Sequence, residues 1–274
     1  MRIELLRSAA VAAMVLASAV APRGLAAQRS ADEARLVVGI SAGWIGGHQL
    51  WNITGQRLPQ QFPGLYDTVA LGRSVRENLT MTGEVTYYPG EHFGWTGEFT
   101  YIGAGLTDAC TFAHPSNDTY NQQVCGALDG REEPASTVTL SGGFNYRPTG
   151  RTQFQPYFRA VAGLSLMPRS TRAVVVNFYD PNGNLTEGDV YVDNNWSELR
   201  PTGSMGIGIA TAPSQGYQLN VEFRETWVRV SNVTGPTASP YTGIDAPNTG
   251  AWLRLPSFTV GFSVVLQKSR GRRY

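Results

Sequence analysis

Apolar and polar positions alternate along most of this chain. Over residues 78–105, Leu79, Met81, Gly83, Val85 and Tyr87 share one parity, and Asn78, Thr80, Thr82, Glu84 and Thr86 share the other. After Pro89-Gly90, Phe93, Trp95, Gly97, Phe99 and Tyr101 alternate with Gly94, Thr96, Glu98 and Thr100. A period of two predicts strands, because successive side chains on a strand point to opposite faces. The Pro-Gly pair predicts a tight turn between them. The same alternation recurs over 36–45, 137–146, 154–167, 196–211, 217–230 and 251–266, which makes eight predicted strands with the two of the 78–105 hairpin. In the last of these, Leu253 and Leu255 fall out of phase with Phe258, Val260, Phe262, Val264 and Leu266, which predicts a bulge near Pro256.

The connections alternate in length. Long ones are expected over about 46–73, 107–135, 168–195 and 231–250, the third with a short ribbon around Asp180-Pro181-Asn182-Gly183. Short ones fall at Pro89-Gly90, Pro148-Thr149-Gly150 and 213–216. If sequential strands are antiparallel neighbours, the long connections gather at one end and the tight turns at the other. The predicted fold class is therefore all-β: an eight-stranded antiparallel up-and-down transmembrane β-barrel with four long extracellular loops and three short periplasmic turns. The two faces fit lipid outside. Tyr87, Phe93, Trp95, Tyr146, Phe154 and Tyr217 lie on the apolar face near the turns, as an interfacial girdle would. Glu84, Glu98, Arg159, Glu222 and Arg224 lie on the opposite face. Inside a narrow barrel they must pair, with Arg159 and Arg224 as counter-charges to Glu84 and Glu98. The competing reading is an exported soluble barrel that binds a ligand, with the apolar faces inside and these charges in water.

Composition narrows the partners. The chain has 274 residues, formal net charge +1, 16% charged residues and 11% aromatics, with 31 glycines. No basic stripe is present, which argues against a nucleic-acid partner. No apolar run is long enough for a transmembrane helix, but barrel strands need only about 9–11 alternating residues. At the N-terminus, Arg2 and Arg7, an Ala-rich apolar run over 9–21 and Leu25-Ala26-Ala27 read as a signal peptide over 1–27. A polar lead-in (28–35), the barrel (36–266) and a basic tail (267–274) would follow.

Cys110 and Cys125 lie in one connection and are expected to form a disulfide in an exported chain, worth ~3 kcal/mol on the chain-entropy estimate. Two free thiols are the alternative. The three histidines, His48, His92 and His114, have no spacing that builds a metal or catalytic site, and no phosphate loop, dinucleotide fingerprint or zinc pattern occurs. No metal, cofactor or enzymatic activity is expected. Trp51, Phe62, Tyr66, Phe112, Tyr120, Tyr179 and Tyr241 lie in the expected loops. They could contact glycans, lipopolysaccharide or host surfaces, or pack the loops against one another.

Over 36–266 the chain resembles the small eight-stranded outer-membrane proteins of Gram-negative-type bacteria, the OmpA-barrel, OmpX and OmpW kind. The resemblance implies an integral outer-membrane location and a lumen plugged by ion pairs. It implies a structural, adhesive or narrow-permeation role, and contact with outer-membrane lipid, lipopolysaccharide and the barrel-assembly machinery. That machinery reads a C-terminal aromatic, and here Tyr274 ends the basic tail. A narrow pore is the alternative function, along an inward track of Gly39, Gly43, Gly143, Gly163, Gly206, Gly208 and Gly261. The extracellular partner is not written in the sequence.

Overall fold

The computed structural model describes residues 35–61, 64–149, 153–167, 174–179, 184–191, 199–213, 216–234 and 247–267. The expected signal peptide, tail residues 268–274, the 180–183 ribbon turn, Phe62 and Tyr241 lie outside the described residues. In chain order the elements are β1 (Arg35–Ile45), β2 (His48–Pro59), β3 (Tyr66–Val75), β4 (Asn78–Tyr88), β5 (Phe93–Phe112), α1 (Thr119–Leu128), β6 (Glu132–Tyr146) and β7 (Phe154–Leu166). They continue with β8 (Val174–Tyr179), β9 (Leu185–Tyr191), β10 (Leu199–Thr211), β11 (Tyr217–Val233) and β12 (Asn248–Gln267).

Eight of these strands close on themselves. The hydrogen-bonded order β1-β4-β5-β6-β7-β10-β11-β12 returns to β1, antiparallel at every step. Closure removes the sheet edges, which would otherwise expose unpaired N–H and C=O groups. The connections at 89–92, 147–153 and 212–216 share one end, called here the turn end. The longer connections share the other, the loop end.

Polarity is inverted relative to a soluble barrel. Ile40 is 68% exposed, Leu140 69% and Trp95 61%, whereas Glu98, Glu222 and Arg159 are 3%, 3% and 4% exposed. Every barrel strand presents large apolar side chains outward. The apolar faces therefore do not line a ligand cavity, as the soluble alternative requires.

Two of the expected long loops are built structure instead. Within 46–73 the strands β2 and β3 pair with each other, and β3 pairs with the upper part of β5, Val69↔Phe112 to Val75↔Leu106. Register shifts between Gln49 and Trp51 and between Ile53 and Gln56 break the period of two in β2, which hides the strand from a parity reading. In 107–135, β5 runs on to Phe112, α1 follows, and β6 begins at Glu132. The 168–195 connection carries the expected ribbon as β8–β9. The bulge expected at Pro256 is absent: β12 pairs with β11 in unbroken register from Tyr217↔Val264 to Val233↔Asn248. Leu253 and Leu255 share the inward parity of Ser257 and Thr259, and both are buried. Their apparent phase error is a change in what fills the lumen.

Together β2, β3, the upper part of β5 and α1 form a cap with a conventional core. Ile53, Leu58, Val69, Leu71, Val124 and Leu128 are all buried in it. Asp118 caps α1 by accepting from the backbone N–H of Tyr120 and Asn121 at 2.9 and 3.0 Å.

Candidate functional site

The lumen is layered, and each layer is set by the inward parity of the strands. At the turn end, Val37, Tyr88 and Val265 form a small apolar cluster. The Arg147 guanidinium lies 4.4 Å from the Tyr88 ring centroid and donates to Gln155 Oε1 at 3.0 Å.

The charged layer follows. Glu84 and Glu98 face each other directly across the β4–β5 pair, an arrangement that destabilises a sheet unless a cation intervenes. Arg159, from β7, supplies it. Its Nη1 donates to Glu84 Oε2 and, at 2.7 Å, to Glu98 Oε1. Arg224, from β11, grips Glu98 bidentately, Nη1 to Oε2 at 2.7 Å and Nη2 to Oε1 at 3.1 Å, while its Nε donates to Glu222 Oε1 at 2.7 Å. Arg159 Nη1 also lies 3.5 Å from Glu222 Oε2. The five charged residues singled out in the sequence thus meet in one connected cluster.

Tyr157 also belongs to this layer and was not singled out, and Gly206 and Gly208, expected only as part of a pore track, belong to it too. The Tyr157 hydroxyl donates to Glu222 Oε2 at 2.8 Å. Gly206 sits opposite both Arg159 and Arg224 in the neighbouring strands, and a Cβ there would lie 2.5 Å from Glu222 Oε1. A Cβ on Gly208 would lie 2.4 Å from Tyr157 Cζ. These glycines create room that the glutamate and tyrosine occupy. The sequence signal was an aromatic at inward parity beside Arg159 and glycines spaced by two on β10. Along the glycine track, Asn220 and Ser263 side chains likewise fill the space beside Gly261 and Gly39.

Above the charges is a hydroxyl layer. Thr82 and Thr100 hydrogen-bond at 3.0 Å, and Thr139, Ser141, Thr202, Ser204, Thr226, Ser257 and Thr259 line the same chamber. Its water-accessible space is about 20 Å³, room for about one water. Higher still the lumen turns apolar, lined by Leu50, Val75, Ile102, Leu106, Met167, Val228, Leu253 and Leu255 around a second space of about 20 Å³.

The cap carries its own polar hub at the loop end. Asp67 accepts from Gln60 Nε2 at 2.7 Å, Ser116 Oγ at 2.6 Å and Asn121 Nδ2 at 2.7 Å. Burial works to raise the Asp67 pKa, but these three hydrogen bonds outweigh it and hold the carboxyl below its ordinary value. Arg73 and Asp108 form a buried bidentate pair at 2.5 and 2.9 Å. A Cys110–Cys125 disulfide joins β5 to α1.

The remaining sequence candidates separate by place. Tyr87, Phe93, Trp95, Tyr146, Phe154 and Tyr217 are all exposed on the outer wall near the turn end. Phe93 meets Trp95 edge-on, ring centroids 5.1 Å apart. Trp44, Tyr101 and Trp252, also exposed and outward, lie toward the other end and were not singled out. Of the loop aromatics, Trp51 is buried against Tyr191, centroids 5.5 Å apart, and Phe112 and Tyr120 pack on the cap core. Those three are packing residues, and Tyr66 is exposed. His48, His92 and His114 lie apart, two near the loop end and one at a turn, where His92 Nδ1 contacts Arg147 O at 2.8 Å. Among the described residues no cluster of acidic, histidine and cysteine ligands could hold a metal.

No family model and no curated protein matches the chain. Among solved structures it is similar to Neisserial surface protein A, at 10% identity over 84% of this chain and 96% of that one, TM-score 0.40. It is similar to outer membrane protein OprG from Pseudomonas aeruginosa, at 10% identity over 86% and 97%, TM-score 0.41. It is also similar to Ail, the attachment invasion locus protein of Yersinia pestis, at 10% identity over 84% and 99%, TM-score 0.35.

Proposed function

We propose that this chain is an integral outer-membrane β-barrel with a structural or surface-interaction role, without enzymatic activity, its lumen plugged by the charge cluster. The observation that carries the reading is the inverted polarity: large apolar side chains cover the outer wall while Glu84, Glu98, Glu222, Arg159 and Arg224 are buried inside. In water such a wall would expose an apolar surface far beyond the few hundred Å² a soluble monomer tolerates. In a bilayer it meets hydrocarbon, and closure of the sheet leaves no backbone group unpaired at its edges. The aromatics near the turn end then form the periplasmic girdle, and the cap stands outside the cell.

The layers of the lumen support the plug. A solute would have to part the Arg159 and Arg224 ion pairs and then cross an apolar layer with space for about one water. Surface interaction falls to the cap and the loops beside it, because binding residues gather on loops held by a rigid scaffold and the lumen layers leave space for about one water each. The test joins fractionation to conductance. The full chain expressed in a Gram-negative host should stay in the carbonate-washed membrane pellet and shift its mobility on heating before SDS electrophoresis. Planar bilayers should stay silent at high protein load. Release into the soluble periplasm overturns the location, and steady single-channel steps overturn the plug.

A further inference from the structure

The barrel wall is not apolar to its top. On β11 and β12, above the Phe223↔Phe258 row, two arginines and two tryptophans alternate: Trp227 pairs with Arg254, and Arg229 pairs with Trp252. All four have outward parity, and Trp252, Arg229 and Arg254 are exposed. Arg254 holds Glu225 through Nε and Nη2. Arg229 has no acidic partner among the described residues. Its guanidinium lies over Gly250, where a Cβ would come within 3.0 Å of Nε and Nη2. The absence of a side chain at 250 thus gives the guanidinium a flat seat on the wall.

Height identifies what this cluster meets. Tyr217, in the turn-end ring, and Trp227 lie on the same strand about ten residues apart, roughly 34 Å along it. At a strand tilt of ~40° that is about 26 Å along the barrel axis, close to the ~25 Å apolar band of such barrels. The Trp227–Arg254 row therefore falls at the upper hydrocarbon boundary, and the Arg229–Trp252 row just above it. Tryptophan favours that depth, and a guanidinium there faces the phosphates of lipid headgroups, which its planar fork can grip bidentately.

We infer that Arg229 and Arg254, flanked by Trp227 and Trp252, form a docking site on the outer wall for the phosphorylated headgroup of an outer-leaflet lipid. The inference rests on the outer-membrane reading above. The occupant is a membrane lipid rather than free phosphate, because the cations stand directly over an apolar wall that the acyl chains of the same molecule would cover.

The test uses the full chain folded in detergent with equal phosphatidic acid and phosphatidylcholine, and native mass spectrometry to count retained lipids. The wild-type protein should retain phosphatidic acid with a preference of roughly fivefold, set by the one net positive charge of Arg229, Arg254 and Glu225. R229Q/R254Q should fall to near parity, and Trp252→Leu should lower the preference by a smaller factor. R76Q, which removes an exposed cation paired with Glu132 elsewhere on the rim, should behave as wild type. An unchanged preference in R229Q/R254Q, an equal loss in R76Q, or displacement of the lipid by millimolar inorganic phosphate overturns the proposal. Heat-modifiability of each variant is read in parallel. Its loss in the wild type sinks the outer-membrane reading, whereas a heat-modifiable barrel without lipid preference sinks this site alone.

Discussion

The barrel and the cap are built from one chain by opposite rules. In the barrel, Ile40, Leu140 and Trp95 face outward and the ions lie inside. In the cap, Ile53, Val69, Leu71 and Leu128 are buried, and buried polar groups are gathered in small hydrogen-bonded hubs around Asp67 and Arg73. The difference teaches where the solvent changes. An alternating strand of either kind has the same period, so only the destination of its apolar face distinguishes lipid from water. The join is visible inside the lumen, where threonine and serine hydroxyls give way to Leu253, Leu255 and Val228. There the inside of the barrel becomes continuous with the core of the cap.

The comparison can be broken in both halves. The largest effect belongs to Arg159. Arg159→Met leaves Glu84 and Glu98 face to face and buried, with only Arg224 to serve Glu98 and Glu222. Breaking a buried pair in this way costs about 3–5 kcal/mol. Urea unfolding in lipid vesicles should show the loss, and replacing Arg159, Glu84 and Glu98 together by apolar residues should recover much of it. Next is Leu140→Arg on the outer wall. In water a side chain 69% exposed would tolerate it, but at mid-bilayer it should cost about 2–4 kcal/mol in the same assay.

The cap should respond separately. Cys110→Ser with Cys125→Ser removes a cross-link spanning 15 residues, worth at most ~3 kcal/mol to the cap. Limited proteolysis should then cut near α1 while the barrel stays heat-modifiable. The smallest effect concerns pH. Because the folded pKa of Asp67 is depressed below the ordinary carboxylate value, its contribution is complete above that ordinary value and lost as pH falls through the folded one. Hydrogen exchange near Gln60, Asp67 and Asn121 should quicken below about pH 4. Asp67→Asn should abolish that pH dependence at a cost of ~1 kcal/mol.

Much of the barrel was legible because a single face pattern, apolar against polar, runs through 78–105, 137–146 and 217–230. The charge cluster was legible as residues at one parity. Its geometry was not, because it depends on Gly206 and Gly208 being empty so that Glu222 and Tyr157 can enter. The cap was misread as loop. Glycine, proline and asparagine in 46–73 suggested irregular chain, and the two register shifts in β2 erased its alternation. Helix α1 did leave a trace: Asp118 as N-cap, then Val124, Cys125 and Leu128 on one face. Pro256 was read as a bulge because outward was equated with apolar along the whole strand. That equation fails where the lumen itself turns apolar.

Tryptophan quenching by lipids brominated on acyl carbons close to the headgroups, the depth of the aromatic girdle, tests the inverted polarity most directly, because it asks each region what touches it. Two full-length variants folded into such vesicles are needed, one retaining only Trp95, which is 61% exposed on the outer wall, and one retaining only Trp51, 3% exposed in the cap. Trp95 should be quenched strongly by the brominated chains and only weakly by aqueous iodide, and Trp51 should respond to neither. A Trp95 that iodide reaches and bromine does not would contradict a wall that faces lipid.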